Sequence, residues 1–497
     1  METPDASPAY QKLLTLGREL QLAGDVSALL GWDQEVLLTG KGVAYRGEQM
    51  AWLSGWIHEQ FVDPEVGEWI EAAAEEASGD IEQSNVRHWH RNWTHATCLS
   101  KQLVKDLTET RVLAQAAWAE ARKKADFSIF APLLTKSIEL TREKAERWGY
   151  EEVLYDALVD EFERGATTKK LTATLGSLRT ELVPVVAEAC GRESFDQSRI
   201  TSGHYPVSAQ EAFNREVAEA IGFDFEAGRI DTAVHPFCSG MGPGDTRLTT
   251  RYNEHDFRSS FFGVLHEAGH GLYEQGLRAE HRGQPVGEAA SLGVHESQSR
   301  LWENHVGRSR AFWERWWPRA VHYFPHLKSL TLEEWMRSIN DASLSHIRVE
   351  ADEVTYDLHI LLRFELEKAI FSGELAIQDI PAVWNERFES YFGLPVPSDD
   401  LGCLQDIHWS MGIFGYFPTY SLGNINAAHL MRAVCGQDSE VAREMDGGNY
   451  GGLLSWLRRS VHQVGSQIPP EEVIARAAGS PASSAAMIAH LRARYLG

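Results

Sequence analysis

Apolar residues recur at three- and four-residue spacing through the first two hundred or so positions, as in AYQKLLTLGRELQLAGDVSALL, FAPLLTKSIELTREKAERW and VLYDALVDEFERG. That period lines one face of a helix. Between about Gly228 and Tyr252 the pattern changes: HPFCSGMGPGD is dense in turn formers and RLTTRY alternates as a short strand does. Helical spacing returns in DFRSSFFGVLHEAGHGLYEQGL, EAASLGVHESQSRLWENHVG and TLEEWMRSIN. The pattern predicts a mainly α chain with one small β-sheet beside the central helices, and no period suggests a solenoid repeat.

In FFGVLHEAGHGLY the apolar residues Phe261, Val264, Leu265, Ala268 and Leu272 fall on a helical stripe, with Ser259 or Ser260 predicted as its N-cap. His266 and His270 are then one turn apart on a shared face and can reach one metal ion. Glu267 lies about 100° round the helix, where it can approach a water on that ion. An accidental HExxH arises in roughly one such sequence in twenty, so the bare motif is moderate evidence. Gly269 and Gly271 add weight, because each costs a helix about 1 kcal/mol against alanine and predicts something packed close to the backbone.

Catalytic zinc takes three protein ligands and keeps one position for water, so a third donor is expected from another element. Glu296, four residues after Leu292, projects from the side of its helical segment that otherwise packs inward. Glu274, His281, Glu288 and Glu303 are the alternatives. With such a site the expected chemistry is metal-dependent amide hydrolysis: the ion activates a water, Glu267 takes its proton and passes it to the leaving amine. A tyrosine or histidine from a distant segment would serve the oxyanion.

Composition narrows the class. Hydrophobic residues make up 43% and charged residues 24%, as in an ordinary globular protein. The 47 basic against 71 acidic side chains give a formal charge of -24, which argues against nucleic acid and anionic membrane as partners. METPDASPAY lacks the basic start and apolar run of a secretion signal, and no apolar stretch approaches the ~20 residues of a membrane span, so a cytoplasmic location is expected. Cys98, Cys190, Cys238, Cys403 and Cys435 show no CxxC spacing and read as free thiols. His88, His90 and His95 in RHWHRNWTHATCLS read as packed or exposed helical histidines rather than a second metal site.

The residues around HEAGH resemble the carboxypeptidase Taq family of metallocarboxypeptidases, and the likeness recurs along most of the chain. A DxRxT element corresponds to Asp245, Arg247 and Thr249; HPF to His235, Pro236 and Phe237; HES to His295, Glu296 and Ser297. IRxxAD appears as Ile347, Arg348, Ala351 and Asp352, and GxxQDxHW as Gly402, Gln405, Asp406, His408 and Trp409. GWDQEVLLTGKGVAYRGEQMAWL and WLRRSVHQVG extend the likeness toward both ends, with Gly40 standing where a proline is expected.

The resemblance implies one catalytic domain over residues 1–497, elongated, helical and two-lobed with a deep central cleft, similar to neurolysin and angiotensin-converting enzyme. It also implies a homodimer that removes single C-terminal amino acids from peptides with broad side-chain tolerance and poor handling of proline. It makes Glu296 the third ligand beside His266 and His270, with zinc as the ion and cobalt or manganese as substitutes. An exopeptidase must hold a free carboxylate, which a guanidinium fork does bidentately. Arg348 is the first candidate and Arg247 the second, each with a structural ion pair as the alternative, to Asp352 or Asp245. His235 joins the expected substrate contacts. His408 and Tyr420 are candidates for the oxyanion, with Tyr416 in reserve, and Asp406 for orienting an imidazole or capping a helix. RLTTRY is expected to be a sheet edge that pairs with an extended peptide. Two competing functions stay open: an oligopeptidase cutting internal bonds, and an inactive helical peptide-binding scaffold.

Overall fold

The computed structural model describes residues 7–497, so residues 1–6 of the segment judged for a secretion signal lie outside it. The architecture is mainly α with a single three-stranded sheet among the described residues. None of the described helices is long and apolar enough to cross a membrane. All five cysteines are free. The chain forms two compact units, each drawn from separated stretches of sequence.

The first unit takes the residues up to Thr94, Asp196–Ile339 and Asn426–Ala482. Its sheet comprises β1 (Gly228–Thr232), β2 (Cys238–Gly240) and β3 (Thr246–Thr250) in the order β1-β3-β2. β1 runs parallel to β3, with Gly228 opposite Thr246, and β2 runs antiparallel to it, with Cys238 opposite Leu248. The alternating strand RLTTRY is therefore the centre of the sheet and not its edge. Both of its sides are hydrogen-bonded within the protein, which removes it as a template for a peptide; only β1 and β2 present free edges.

β3 packs on the motif helix Arg258–Glu274, where Leu248 is fully buried. Gly271 allows that approach, since a Cβ there would lie 2.9 Å from Leu248 and 2.7 Å from Phe223. Ser259 and Ser260 do not cap this helix: Phe257 stands at the cap position and Asp256 accepts from the Arg258 backbone N–H. The reason is packing. Phe257 stacks on Phe324 (4.3 Å) and Trp335 (5.5 Å), and Phe261 meets Trp313 (5.2 Å). Burying such rings stabilises by about 1.5–3 kcal/mol each, more than the ~1 kcal/mol of a serine cap.

The second unit takes His95–Phe195, Asn340–Ile425 and Ser483–Gly497. At its core the helix Tyr356–Ser372 packs against Thr168–Cys190, and it is buried along most of its length, including Arg363 and Glu367.

Candidate metal centre and a buried arginine cluster

Both motif glycines act as predicted. A Cβ on Gly269 would lie 2.6 Å from the Gln298 carbonyl oxygen and the Ser299 Cα, so its absence lets the backbone of the helix Leu292–Arg300 lie directly on the motif helix. Ser291 caps that second helix by accepting from the Val294 N–H. The close approach brings Glu296 to the two histidines: its Oε2 is 3.7 Å from His266 Nε2 and 3.4 Å from His270 Nε2. A tetrahedral ion with ligand bonds of about 2.0–2.1 Å holds its donors about 3.3–3.4 Å apart. Two imidazoles and one carboxylate at this spacing fit a divalent cation.

Outer contacts favour the same fit. His266 Nδ1 lies 2.9 Å from Glu303 Oε2, and Arg300 and Arg308 face Glu303. His270 Nδ1 lies 2.6 Å from His295 Nδ1, whose Nε2 is 2.9 Å from Glu274 Oε1. When Glu303 accepts from His266 Nδ1–H, the Nε2 lone pair of that neutral ring is left bare toward Glu296. The Glu296 Oε1 accepts from Arg300 Nε at 2.7 Å, which leaves Oε2 for the ion.

Charge in the site is unbalanced without a cation. Burial alone would lower the His266 imidazole, yet Glu296, the hydrogen bond to Glu303 and the Glu267 charge hold it up at about 9. Glu267, 6% exposed, is pushed up to about 7 by burial, against His266 and assisted by Glu296 and Glu303. Burial would also raise Glu296, but Arg300 and His266 hold it well below the ordinary carboxylate range. A metal ion answers what protonation of His266 answers otherwise, because it takes the place of a proton among these carboxylates.

The other ligand candidates sort themselves. Glu303 and Glu274 are outer partners of the histidines. Spacing could have marked Glu274, which lies one helical turn after His270; Glu303 reaches His266 from another element. His281 and Glu288 take no part in the group of His266, His270 and Glu296, one of those among the described residues that could hold an ion. His295, quoted only as part of HES, was given no role from sequence. Of the three N-terminal histidines, His88 Nε2 meets the Ser466 carbonyl and His95 stacks on Trp148 at 4.7 Å.

In the second unit the remaining candidates gather around Asp406. Arg348, 7% exposed, bonds it through Nε (3.0 Å) and Nη2 (2.9 Å), while Arg363 Nε bonds the other oxygen at 2.5 Å. The expected partner Asp352 is engaged elsewhere, accepting from the Ser343, Val354 and Thr355 N–H groups. Arg348 Nη1 donates to Tyr356, and its guanidinium lies 5.1 Å from the Tyr420 ring. The Tyr420 hydroxyl is 3.5 Å from His408 Nε2, and the Tyr416 ring lies 5.5 Å from the His408 ring. Asp406 serves the arginines first: His408 Nδ1 is 4.0 Å from it, and it caps no helix here. Burial, with Arg348 and Arg363 nearby, lowers His408 to about 4 despite Asp406.

Back in the first unit, Arg247 is bidentate to Asp245 at 2.8 and 2.7 Å and lies over Trp32 at 4.3 Å. Its fork is occupied, which is the ion-pair alternative. His235 sits exposed between β1 and β2.

Comparison with known proteins extends these observations. The sequence pattern described as "Carboxypeptidase Taq (M32) metallopeptidase" matches residues 12–495. The chain is 40% identical to thermostable carboxypeptidase 1 of Thermus thermophilus over 99% of both chains, and 34% identical to carboxypeptidase 1 of Bacillus subtilis over 98% of both. Its fold superposes on the M32 carboxypeptidase of Deinococcus radiodurans with a TM-score of 0.95 at 34% identity, covering 98% of this chain and 99% of that one. With these matches, and with three side chains grouped so that they could hold an ion, the chain belongs to the carboxypeptidase Taq (M32) metallopeptidases and is a metallocarboxypeptidase, a hydrolase of peptide bonds that works with a divalent metal.

Proposed function

We propose that the chain removes single C-terminal residues from peptides, with broad side-chain tolerance, using zinc held by His266, His270 and Glu296. One observation carries this: two Nε2 atoms face a single carboxylate oxygen at 3.4 and 3.7 Å, while the outer nitrogen of each ring has a partner. Bound there, the ion supplies a Lewis acid that polarises the scissile carbonyl and acidifies water. Glu267 accepts the proton of the attacking water at its carboxylate and returns it to the departing amine nitrogen.

Arg348 is assigned the substrate's terminal carboxylate. Two guanidinium groups share the single Asp406 carboxylate, so its cluster can accept a further anion. Arg247 has the weaker claim because Asp245 pairs with it alone, whereas Arg348 shares its carboxylate with Arg363. Tyr420 is preferred to Tyr416 as phenol donor, because its hydroxyl approaches the His408 imidazole while its ring faces the Arg348 guanidinium. His408 donates to the developing oxyanion or to the substrate backbone. His235 retains only a rim contact with the peptide. The family resemblance extends the proposal to a cytoplasmic homodimer.

Incubation with free and C-terminally amidated peptides, with and without chelator, tests the proposal by product mass. Stepwise loss of single C-terminal residues, abolished by chelation and by amidation, is expected. Internal fragments would instead make it an oligopeptidase, and no cleavage after zinc reconstitution would make it a silent scaffold.

A further inference from the structure

We infer that His295, held by Glu274, fixes the tautomer and ring orientation of His270, so that Glu274 and His295 are positioning residues acting on the metal site from behind. The inference rests on the proposed ligand set and concerns what holds one member of it.

The two histidines of the motif are supported differently. His266 meets a carboxylate directly, whereas His270 meets another imidazole, with the rings 4.5 Å apart and their planes within 24°. An imidazole can accept or donate, so by itself it would leave His270 free to carry its proton on either nitrogen. Glu274 removes that freedom. A carboxylate only accepts, so His295 presents Nε2–H to it, and with Nε2 of His270 turned to the ligand site, His295 Nδ1 is left to accept from His270. His270 must then place its own proton on Nδ1, and its Nε2 lone pair points to Glu296.

The surroundings keep Glu274 in place. It ends the motif helix one turn beyond His270. Across from it, Gly240 of β2 leaves the space it fills, since a Cβ there would lie 2.8 Å from Glu274 Oε2. His295 is gripped on a further side by the Tyr273 ring at 5.3 Å. A residue chosen merely to fill this space would need neither a carboxylate behind it nor a nitrogen in front.

The test uses the full-length protein and measures zinc affinity by competition with a chelator. His295→Phe keeps a ring but offers no acceptor, and it should weaken zinc binding about 10- to 100-fold. His295→Gln can accept from His270 with its oxygen and donate to Glu274 with its amide, and it should recover to within a few-fold of the native protein. Glu274→Gln should weaken binding in the native background but change nothing further in His295→Phe, because it acts only through His295. Glu303→Gln, which acts through His266, should add its full effect to His295→Phe. Histidine-selective ¹⁵N spectra of the zinc-free protein should show His270 carrying its proton on Nδ1 in the native chain and divided between both nitrogens in His295→Phe. Native zinc affinity in a folded His295→Phe protein, or a full additional loss from Glu274→Gln within it, overturns the inference. A native chain that binds no zinc overturns the ligand assignment instead.

Discussion

The metal centre and the arginine cluster bury ionisable groups in opposite proportion. Around His266 and His270, Glu296 and Glu303 pair with Arg300 and Arg308 while Glu267 adds a further carboxylate, and a neutral imidazole there is driven to bind a proton. Around Asp406, two guanidinium groups share one carboxylate, and the nearby imidazole of His408 is driven to lose its proton. Each region is incomplete by a charge, of opposite sign. A buried charge without a partner is expensive, so the sign of each imbalance is the basis for proposing a cation in the first region and the substrate carboxylate in the second.

Five changes would break or sharpen this contrast. Glu267→Gln removes the proton acceptor and leaves the ligand triad, so kcat should fall by about 10²- to 10⁴-fold with zinc content unchanged; a fall in zinc content would move Glu267 into the ligand set. Asp406→Asn leaves two buried guanidinium groups without their shared anion and should cost about 3–5 kcal/mol in urea unfolding. The same residue sets an acid limit. Burial would raise its carboxyl, but Arg363 and Arg348 hold it well below the ordinary value of 3.8. Its stabilisation is therefore complete above that value and is lost as pH falls beneath it, a slope that Asp406→Asn should abolish.

Gly269→Ala, pressed against the Gln298 and Ser299 backbone, should destabilise by about 1–3 kcal/mol and weaken zinc binding by displacing Glu296. Gly176→Ala, in the helix Thr168–Cys190 with nothing within 4 Å of its added Cβ, should stabilise by about 0.4–1 kcal/mol. Equal effects from the two glycine changes would mean that the close helix contact has no special part in the metal site.

Glu367 provides a smaller test of opposite pH sense in the second unit. Burial pushes it up to about 7, although Tyr155, Gly415 and Trp409 donate to it. The folded state thus binds its proton more tightly than the unfolded chain does. Its contribution is full below the ordinary 4.5 and declines as pH rises toward 7, and Glu367→Gln should flatten that part of the thermal-unfolding profile.

Local patterns made the metal centre legible because most of its information lies within short reach along the chain. One helical turn separates His266 from His270, and Gly269 and Gly271 signalled a close neighbour before that neighbour was known. The Arg348 pair was not legible: its partner lies 58 residues away at Asp406, while the nearer Asp352 is used by backbone N–H groups. The sheet was half seen. β3 alternates, but β2 is three residues of turn-forming sequence, and without β2 and β1 nothing marked β3 as central. The serine cap failed because aromatic packing at Phe257 decides where that helix begins.

The division of each unit among separated stretches governs how the protein is made. Gln298, whose carbonyl and neighbouring Cα press against Gly269, is held through its side chain by His462, 164 residues later. At about 5–20 residues per second, a ribosome delivers that histidine roughly 8 to 33 seconds after the last ligand has emerged. During that interval the nascent chain exposes two imidazoles and a carboxylate whose supporting framework is still being translated, so metal capture in its final geometry has to await synthesis of the C-terminal stretch.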